Sequence, residues 1–367
     1  MASNRSKIPP QALVRVVEFV RNSMAGLHRR LVPGHIALLE MVVAGFLTQA
    51  IHAAAALGVA DALADGPRSG AELARATGAN EDALHRLLRL LISHGIFARR
   101  SDGKYTLTPM ARVLRRDAEV SLRDAVLFFG SPVHRNHWTH LVDAVRTGET
   151  VGTDLDGMSF FDYVQKDREL GELFDRAMTS ISTLSIEPLF AAYDFAQFGT
   201  IVDVGGGHGT LLTEILSRTK TPRGILFDLP EVVASAPARI AELGLTDRCT
   251  VEGGSFFETV PEGCDAYILK HIIHDWSDDK AEQILRTLRA RMPEGATLIL
   301  IELVLPEDNQ PHPGKYIDLE MLVNAGGRER TEAQYRDLLA DSGFTLLRRI
   351  PTAAPDNILE ARPTRGS

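Results

Sequence analysis

The feature that most constrains the fold is an apolar run that leads directly into a glycine-rich turn. Residues 201–204 are Ile-Val-Asp-Val, and residues 205–209 are Gly-Gly-Gly-His-Gly. Apolar residues then recur at helical spacing over 210–218: Leu211, Leu212, Ile215 and Leu216. A strand, a glycine turn and a helix form the first unit of a doubly wound α/β domain, in which a ligand approaches the backbone of the turn. Glycine suits this turn because it tolerates positive φ and has no side chain.

The glycine spacing and a following acid indicate a nucleoside ligand. Residues 205–209 have the pattern G-x-G-x-G, which is one residue shorter than the dinucleotide fingerprint. A second predicted strand, 224–227, ends at Asp228, at about the separation from the turn where this fold class binds ribose. A carboxylate there accepts hydrogen bonds from ribose hydroxyls. Alone, Asp228 could instead cap a helix near Pro230, but the two features together favour a ligand.

Composition excludes some functions. The chain has 367 residues, enough for two or three domains, and its net charge of −8 argues against a nucleic-acid partner. The two cysteines, Cys249 and Cys264, fit neither a metal site nor a disulfide framework, which predicts a reducing cytoplasm. The polar segment Met1–Pro10 has no signal-peptide pattern.

A long apolar segment, 41–60, needs a separate explanation. It contains Gln49 and His52, and Glu40 precedes it, so a membrane span is a poor fit. A helix that is apolar nearly all round is otherwise buried in a core or in a subunit interface. We therefore expect a homodimer and no membrane partner.

Three regions are predicted along the chain. Residues 1–115 form a helical domain in which two capped helices precede a hairpin, as in a winged helix. Residues 116–195 are mainly helical and connect this domain to the next. Residues 196–367 alternate strands and helices, which indicates a parallel sheet, and two further strands near 344–350 and 357–361 close it in antiparallel fashion.

Residues suited to proton transfer follow the predicted strands. His274 lies in a loop after the strand 265–269, Glu302 ends the next strand, and Glu329 follows later in the chain. Ligands in open α/β sheets bind at the carboxyl ends of strands. Histidine is the natural base near neutral pH, and a neighbouring carboxylate orients it. A loop histidine with a purely structural role is the alternative, which the surrounding acids disfavour.

Four motifs together resemble the S-adenosylmethionine-dependent O-methyltransferases of the caffeate and acetylserotonin type, especially bacterial members that modify phenolic or quinonoid natural products. The motifs are Val-Asp-Val-Gly-Gly-Gly-His-Gly at 202–209, Phe-Asp-Leu-Pro at 227–230, Leu-Lys-His-Ile-Ile-His-Asp-Trp-Ser-Asp at 269–278 and Gly-Arg-Glu-Arg-Thr at 327–331. The resemblance covers nearly the whole chain. It implies a class I methyltransferase fold with a helical, winged-helix-like dimerisation domain.

The resemblance also implies residue roles. His274 would be the general base, Glu302 and Glu329 would hold and polarise it, and Asp275 would help to place the acceptor. The cofactor site would comprise Asp203, Gly205, Gly206, Gly207, Asp228, Leu229, Ser255, Phe256, Phe257 and Lys270. The acceptor pocket would include Met178 and Asn324, and Phe174, at helical spacing from Met178, is expected to line the same pocket. The sequence itself predicts no metal, because no ligand cluster stands near His274. Plant-type members have an acid where this chain has Ser255, which bears on the strength of adenine recognition.

Three other functions are weaker hypotheses. An enzyme of the same fold could decarboxylate or hydroxylate its substrate, but such relatives tend to lose the base that His274 supplies here. A winged-helix DNA-binding regulator conflicts with the acidic composition. A dinucleotide oxidoreductase conflicts with the glycine spacing.

Overall fold

A computed structural model describes Pro9 and residues 11–364, without the side chains of residues 153 and 154. Apart from Pro9, the polar segment Met1–Pro10 therefore lies outside the described residues. The chain forms two compact units, one comprising residues 1–22, 140–161 and 182–367, and the other residues 23–139 and 162–181. The three-region division at 115 and 195 stays a prediction.

The first half of the described chain is helical apart from one hairpin, and the second half alternates strands and helices. The first half contains α1 (Gln11–Arg30), α2 (Gly34–Ala56), α3 (Val59–Ala62), α4 (Gly70–Thr77), α5 (Glu81–Ser93), β1 (Phe97–Arg99), β2 (Tyr105–Leu107), α6 (Pro109–Arg112), α7 (Arg123–Phe129), α8 (Pro132–Thr139), α9 (Leu141–Thr147), α10 (Gly152–Asp156), α11 (Phe160–Lys166) and α12 (Arg168–Ala192). The second half contains β3 (Thr200–Val204), α13 (Thr210–Arg218), β4 (Arg223–Asp228), α14 (Pro230–Val233), α15 (Ala236–Glu242), β5 (Cys249–Gly253), β6 (Ala266–Lys270), α16 (Asp278–Arg291), β7 (Thr297–Glu302), α17 (Gly314–Glu320), α18 (Glu332–Asp341), β8 (Phe344–Pro351) and β9 (Asn357–Pro363).

The unit that contains residues 23–139 has the predicted order of two helices and a hairpin. Ser69 and Glu72 form a capping box at the start of α4, and the Asn80 side chain accepts from the Ala83 N–H at the start of α5. Strands β1 and β2 pair in antiparallel fashion. Their apolar faces pack in one core, which includes the fully buried Leu73, Leu88 and Leu91.

Helix α2 is apolar but exposed within a single chain. Leu38 and Val42 are each 64% exposed, and Phe46 is 70% exposed. By length and composition this helix could also cross a membrane. Ala50 and Ala54, near the C-terminal end of this helix, pack in the core of the unit, whereas the residues before them leave an apolar surface that is exposed in the described chain.

The unit that contains residues 182–367 is built on a seven-stranded sheet. Its strand order is β5-β4-β3-β6-β7-β9-β8. Strands β3 to β7 are parallel, while β9 runs antiparallel to β7 and β8. Two apolar clusters cover the two faces, because β-strand side chains alternate between faces. The predicted doubly wound sheet with an antiparallel closing pair is confirmed.

The helical segment between β4 and β5 is divided in two. Helices α14 and α15 are separated by a break at residues 234 and 235. Pro237 lies in the first turn of α15. Proline has no N–H to donate to the preceding turn, so it begins a helix more readily than it continues one.

Candidate active site

The candidate site lies where β3, β4, β6 and β7 end. These strands are neighbours in the sheet and run in the same direction, so their carboxyl ends form one edge. The glycine turn follows β3, Asp228 ends β4, Lys270 ends β6 and Glu302 ends β7. The sheet therefore brings together the strand-end residues that the sequence singled out.

The glycine turn is shaped for close approach by a ligand. Gly205, Gly207 and Gly209 have φ values of 68°, 56° and 74°, in the left-handed region that favours glycine. A Cβ at Gly205 would lie 2.6 Å from Ile272 Cδ1, whereas a Cβ at Gly207 would meet open space. The turn thus leaves room above its backbone at Gly207, as a bound nucleoside requires.

Asp203 lies beneath this turn and is 2% exposed. Burial raises the pKa of its carboxyl to about 7, although the nearby Lys270 opposes that rise. Its Oδ2 has no hydrogen-bond partner among the described residues. A buried carboxylate oxygen without a donor is costly, and a bound cationic or hydrogen-bonding group would satisfy it. This observation fits a ligand such as S-adenosylmethionine, which carries an amino group and a sulfonium.

Asp228 bonds to the turn backbone. Its Oδ2 accepts from the Gly207 N–H at 2.8 Å, and its Oδ1 accepts from the Leu229 N–H at 2.7 Å. The carboxylate is half-buried. Asp228 therefore shapes the glycine turn, and its predicted role toward ribose hydroxyls stays a prediction.

An aromatic cluster follows β5. The Phe256 and Phe257 rings are 5.0 Å apart, and Trp276 contacts both of them edge-on, at 6.1 and 4.8 Å. Phe161 stacks on Trp276 at 5.8 Å. Ser255, which is half-buried, accepts from the Phe257 N–H at 3.3 Å. The predicted adenine-binding residues thus lie in an apolar, aromatic environment suited to a flat heterocycle.

Lys270 belongs to a buried network that the sequence did not predict. Its ammonium donates to Ser182 Oγ at 3.0 Å and lies 3.4 Å from His271 Nδ1. The other nitrogen of His271 forms a short hydrogen bond with Asp356. Burial lowers the pKa of Lys270. No sequence pattern connects Asp356 with residues near 271, so only the fold reveals this contact.

His274 has the geometry of a base that a carboxylate orients. Its Nδ1 is 2.7 Å from Glu329 Oε1, and both side chains are buried. This hydrogen bond places a proton on Nδ1, because the carboxylate only accepts. The Nε2 atom is therefore the basic nitrogen, and it lies 3.5 Å from Asp275 Oδ1. The structure brings His274, Asp275 and Glu329 together.

Glu302 completes the surroundings of His274. Its Oε1 accepts from the backbone N–H groups of Ile272 and Ile273 at 3.2 and 2.9 Å. These bonds fix the start of residues 272–276, which we call the histidine segment. Burial raises the pKa of Glu302 to about 8, and that of Asp275 to about 6. Although burial alone would lower it, the three carboxyls raise the pKa of His274 to about 10. Negative charge around the imidazole thus favours its protonated form.

The same cluster is a possible metal site. Ligand atoms of His274, Glu302 and Glu329 lie within 4.8 Å of one another. Glu302 Oε2 and Glu329 Oε2 lack hydrogen-bond partners within the described part of the chain. The fold brings these three side chains together although they are far apart in the sequence. The expected absence of a metal, which was based on sequence spacing, stays a prediction.

Gly327 and Arg328 of the Gly-Arg-Glu-Arg-Thr motif both contact the carbonyl group of His274. A Cβ at Gly327 would lie 1.9 Å from the His274 carbonyl oxygen, so only glycine fits there. The Arg328 N–H donates to that same oxygen at 2.8 Å. Sequence reasoning quoted the motif but assigned a role to Glu329 alone.

The predicted acceptor residues lie in different units. Asn324 is 3% exposed and lies in a π-helical turn, 321–325, where its Nδ2 donates to Glu320 Oε1 at 2.8 Å. Such turns are frequent at functional sites. Phe174 and Met178 lie on α12 in the other unit, where Phe174 contacts Phe128 edge-on at 5.3 Å. Their role as acceptor contacts stays a prediction.

Comparison with known proteins gives relatives over most of the chain. Phenazine O-methyltransferase PhzM of Lysobacter antibioticus is 41% identical over 90% of this chain and 97% of its own length. The 8-amino-8-demethylriboflavin N,N-dimethyltransferase of Streptomyces davaonensis is 34% identical over 86% of this chain and 92% of its own length.

A solved structure of the O-methyltransferase NcsB1 from neocarzinostatin biosynthesis, with S-adenosylmethionine and 2-hydroxy-5-methyl naphthoic acid, is also similar. It is 34% identical, covers 86% of this chain and 96% of that chain, and has a TM-score of 0.74. Two family models match, an O-methyltransferase dimerisation domain at residues 40–117 and an O-methyltransferase domain at residues 138–345. This chain therefore belongs to the O-methyltransferase family and is an S-adenosylmethionine-dependent methyltransferase of secondary metabolism.

Proposed function

We propose that the enzyme transfers a methyl group from S-adenosylmethionine to a phenolic hydroxyl of a small aromatic metabolite, with His274 as the general base. The observation that carries this proposal is the hydrogen bond between His274 Nδ1 and Glu329 Oε1. It leaves Nε2 as the nitrogen that can accept a proton from the acceptor.

The chemistry requires a base more than it requires activation of the donor. The sulfonium of S-adenosylmethionine supplies an already activated methyl group. A phenol has a pKa of about 10 and is a poor nucleophile while neutral. His274 Nε2 accepts the phenolic proton, and Glu329 stabilises the resulting imidazolium across the hydrogen bond at Nδ1. The sheet edge that holds the glycine turn aligns the reactants, which converts the transfer into an oriented, effectively unimolecular step.

The relatives support an aromatic acceptor. The names of two of them specify a phenazine and a naphthoic acid as the compounds that those proteins methylate or bind. The aromatic residues Phe256, Phe257 and Trp276 provide a similar environment here. The class of acceptor rests on this likeness, and its identity is left to experiment.

A hydroxyl fits the site better than an amine. One relative is named for methylation at nitrogen. A neutral aromatic amine already carries a free lone pair, so it needs no proton removed before it attacks. The buried imidazole and its three carboxyls would add little to such a reaction, whereas they serve an acceptor that must lose a proton.

The exposed apolar surfaces of α1 and α2 support a homodimer. Phe19 and Leu31 of the N-terminal region are each 72% exposed, and Phe46 is 70% exposed. Exposed apolar surface of this extent is typical of a subunit interface. The dimerisation family model matches residues 40–117, which include most of α2. A cytoplasmic homodimer without nucleic-acid or membrane partners follows as part of the proposal.

The test uses His274→Ala and His274→Gln with a panel of phenols, hydroxyquinones and amino analogues. Product formation is measured by mass spectrometry, where a gain of one methyl group identifies transfer. Loss of general-base catalysis should lower the rate by about 10²- to 10⁴-fold, while binding of S-adenosylhomocysteine persists in calorimetry. The exposed His94 provides the control variant His94→Ala, which should keep full activity. Normal turnover by His274→Ala would refute the assignment of the base. If the native enzyme binds S-adenosylhomocysteine but forms no methylated product, the result would instead favour the alternative of a decarboxylase or hydroxylase with the same fold.

A further inference from the structure

Arg330 is the most deeply buried basic side chain near the site, and the proposed reaction assigns it no role. It is 1% exposed. A buried guanidinium is unfavourable unless each donor has a partner and a counter-ion lies close by. Its partners therefore indicate why this chain retains it.

The guanidinium bonds to the backbone on both sides of His274. Nη1 donates to the Ile273 carbonyl at 3.1 Å, and Nη2 donates to the Trp276 carbonyl at 3.0 Å. Nε and Nη2 also donate to Asp278 Oδ1 at 3.0 and 2.7 Å. One planar group thus connects three positions of the segment that carries the proposed base.

The segment that presents Arg330 is itself held in place. The Arg330 carbonyl accepts from the Leu305 N–H at 2.9 Å. Thr331 begins α18 with a capping box that includes Gln334. The guanidinium therefore extends from a fixed backbone rather than from a mobile loop.

The same short segment also supplies Glu329, which orients the imidazole. Glu329 and Arg330 are consecutive, so one residue holds the side chain of His274 and the next holds its main chain. A displacement of the 273–276 backbone would move Nδ1 away from Glu329 Oε1, which is now 2.7 Å distant.

We propose that Arg330 is a positioning residue for methyl transfer, because its guanidinium holds the Ile273 and Trp276 carbonyls so that His274 meets both Glu329 and the acceptor. This inference rests on the proposed function of His274. Lysine cannot replace arginine here, because an ammonium is a single compact donor group whereas the guanidinium presents five N–H groups in a planar fork.

The test compares Arg330→Lys with Arg328→Lys. Arg328 is two residues away, is 54% exposed and lies 3.4 Å from the same Asp278 carboxylate, so it is a matched control for charge and location. The concentration of folded sites is measured by calorimetric titration with S-adenosylhomocysteine, so that a loss of stability is not counted as a loss of rate. Misplacement of a catalytic group by about 1 Å can lower the rate about 100-fold. We expect Arg330→Lys to lower kcat per folded site by about 10- to 100-fold, with KM for S-adenosylmethionine within about twofold of that of the native enzyme.

A second measurement does not depend on activity. Nuclear magnetic resonance of the ¹⁵N-labelled imidazole reports whether Nδ1–H of His274 remains bonded to Glu329. The Arg330→Lys variant should lose or shift this resonance, and Arg328→Lys should retain it. If Arg330→Lys matches Arg328→Lys in both kcat and the resonance, Arg330 only stabilises the fold and the proposal is wrong. If the resonance shifts while His274→Ala proves fully active, the base assignment fails but the positioning of the ring by Arg330 stands.

Discussion

The negative charge around His274 makes a quantitative prediction for Asp275→Asn. The three neighbouring carboxyls overcome the effect of burial and raise the pKa of His274 to about 10. The imidazole is thus protonated at neutral pH, and the rate of methyl transfer should rise with pH as His274 loses its proton. Replacement of Asp275 by asparagine removes one of these charges and keeps the size of the side chain. The part of the pH–rate profile in which the rate rises, called here the rising limb, should therefore move to lower pH in Asp275→Asn.

The contact distance sets the size of this displacement. Asp275 Oδ1 lies 3.5 Å from His274 Nε2. At an effective dielectric constant of about 20, unit charges at that distance interact by about 5 kcal/mol, which corresponds to a change of about 3.5 in the pKa of His274. The side chain of Asp275 is 21% exposed, and each charge is spread over two atoms. We therefore expect the apparent pKa of the limb to fall by about one to two.

The assay is single-turnover product formation at saturating S-adenosylmethionine, measured with one acceptor from about pH 6 to about pH 10.5 to span the range of a raised histidine pKa. The apparent pKa of the rising limb reports the charge around His274, and the maximal rate reports how well the acceptor is placed. The control variant is Asp279→Asn, at an exposed residue of α16. The reasoning is refuted if Asp275→Asn and Asp279→Asn show the same apparent pKa for the rising limb. It is also refuted if the apparent pKa of the native enzyme is the ordinary histidine value of about 6.5.

Four further predictions follow from the site. Gly205→Ala and Gly207→Ala should each weaken S-adenosylhomocysteine binding about tenfold in calorimetry, because both positions have positive φ, with strain of about 1–2 kcal/mol, and because the added methyl group contacts Ile272 at Gly205 or enters the space left for the ligand at Gly207. Tyr335→Phe should leave the free energy of unfolding in urea unchanged or raise it by up to about 1 kcal/mol, because the buried hydroxyl has no partner among the described residues; a clear loss would contradict this. Burial lowers the pKa of His271 to about 4. Between about pH 4 and about pH 6.5 the unfolded chain therefore binds a proton at His271 that the folded chain does not, so the free energy of unfolding should rise with pH over this range. His271→Gln should remove that dependence. Dialysis against a chelator should leave methyl transfer unchanged; a loss that divalent ions restore would assign a metal to the cluster around His274.

The sheet and its strand-end residues could be predicted because local patterns specify them. An apolar run followed by glycines specifies a strand and a turn without knowledge of the rest of the chain. Parallel strands then bring the residues after β3, β4, β6 and β7 to one edge, whatever their separation in sequence. The pairing of His274 with Glu329, 55 residues apart, was implied by the family resemblance. The structure has a hydrogen bond between the two side chains, and their catalytic roles stay a prediction.

The rest of the site depends on packing that no local pattern encodes. Asp356 meets His271 across 85 residues, through a loop whose position depends on the order of β8 and β9. Arg330 bonds mostly to carbonyl groups, which every residue carries, so the sequence gives no sign of its partners. The raised pKa of Glu302 arises from burial, which is a property of the folded state.

Three residues outside the histidine segment contact its main chain, and this has a consequence for directed evolution. Glu302 binds the N–H groups of Ile272 and Ile273, Arg330 binds the carbonyls of Ile273 and Trp276, and Gly327 packs against the carbonyl of His274. Since side-chain replacement leaves these backbone groups in place, conservative replacements at positions 272 and 276, whose side chains contact the glycine turn and the aromatic cluster, should keep the path of the segment. Positions 302, 327 and 330 carry the frame and should tolerate few substitutions, whichever acceptor is selected.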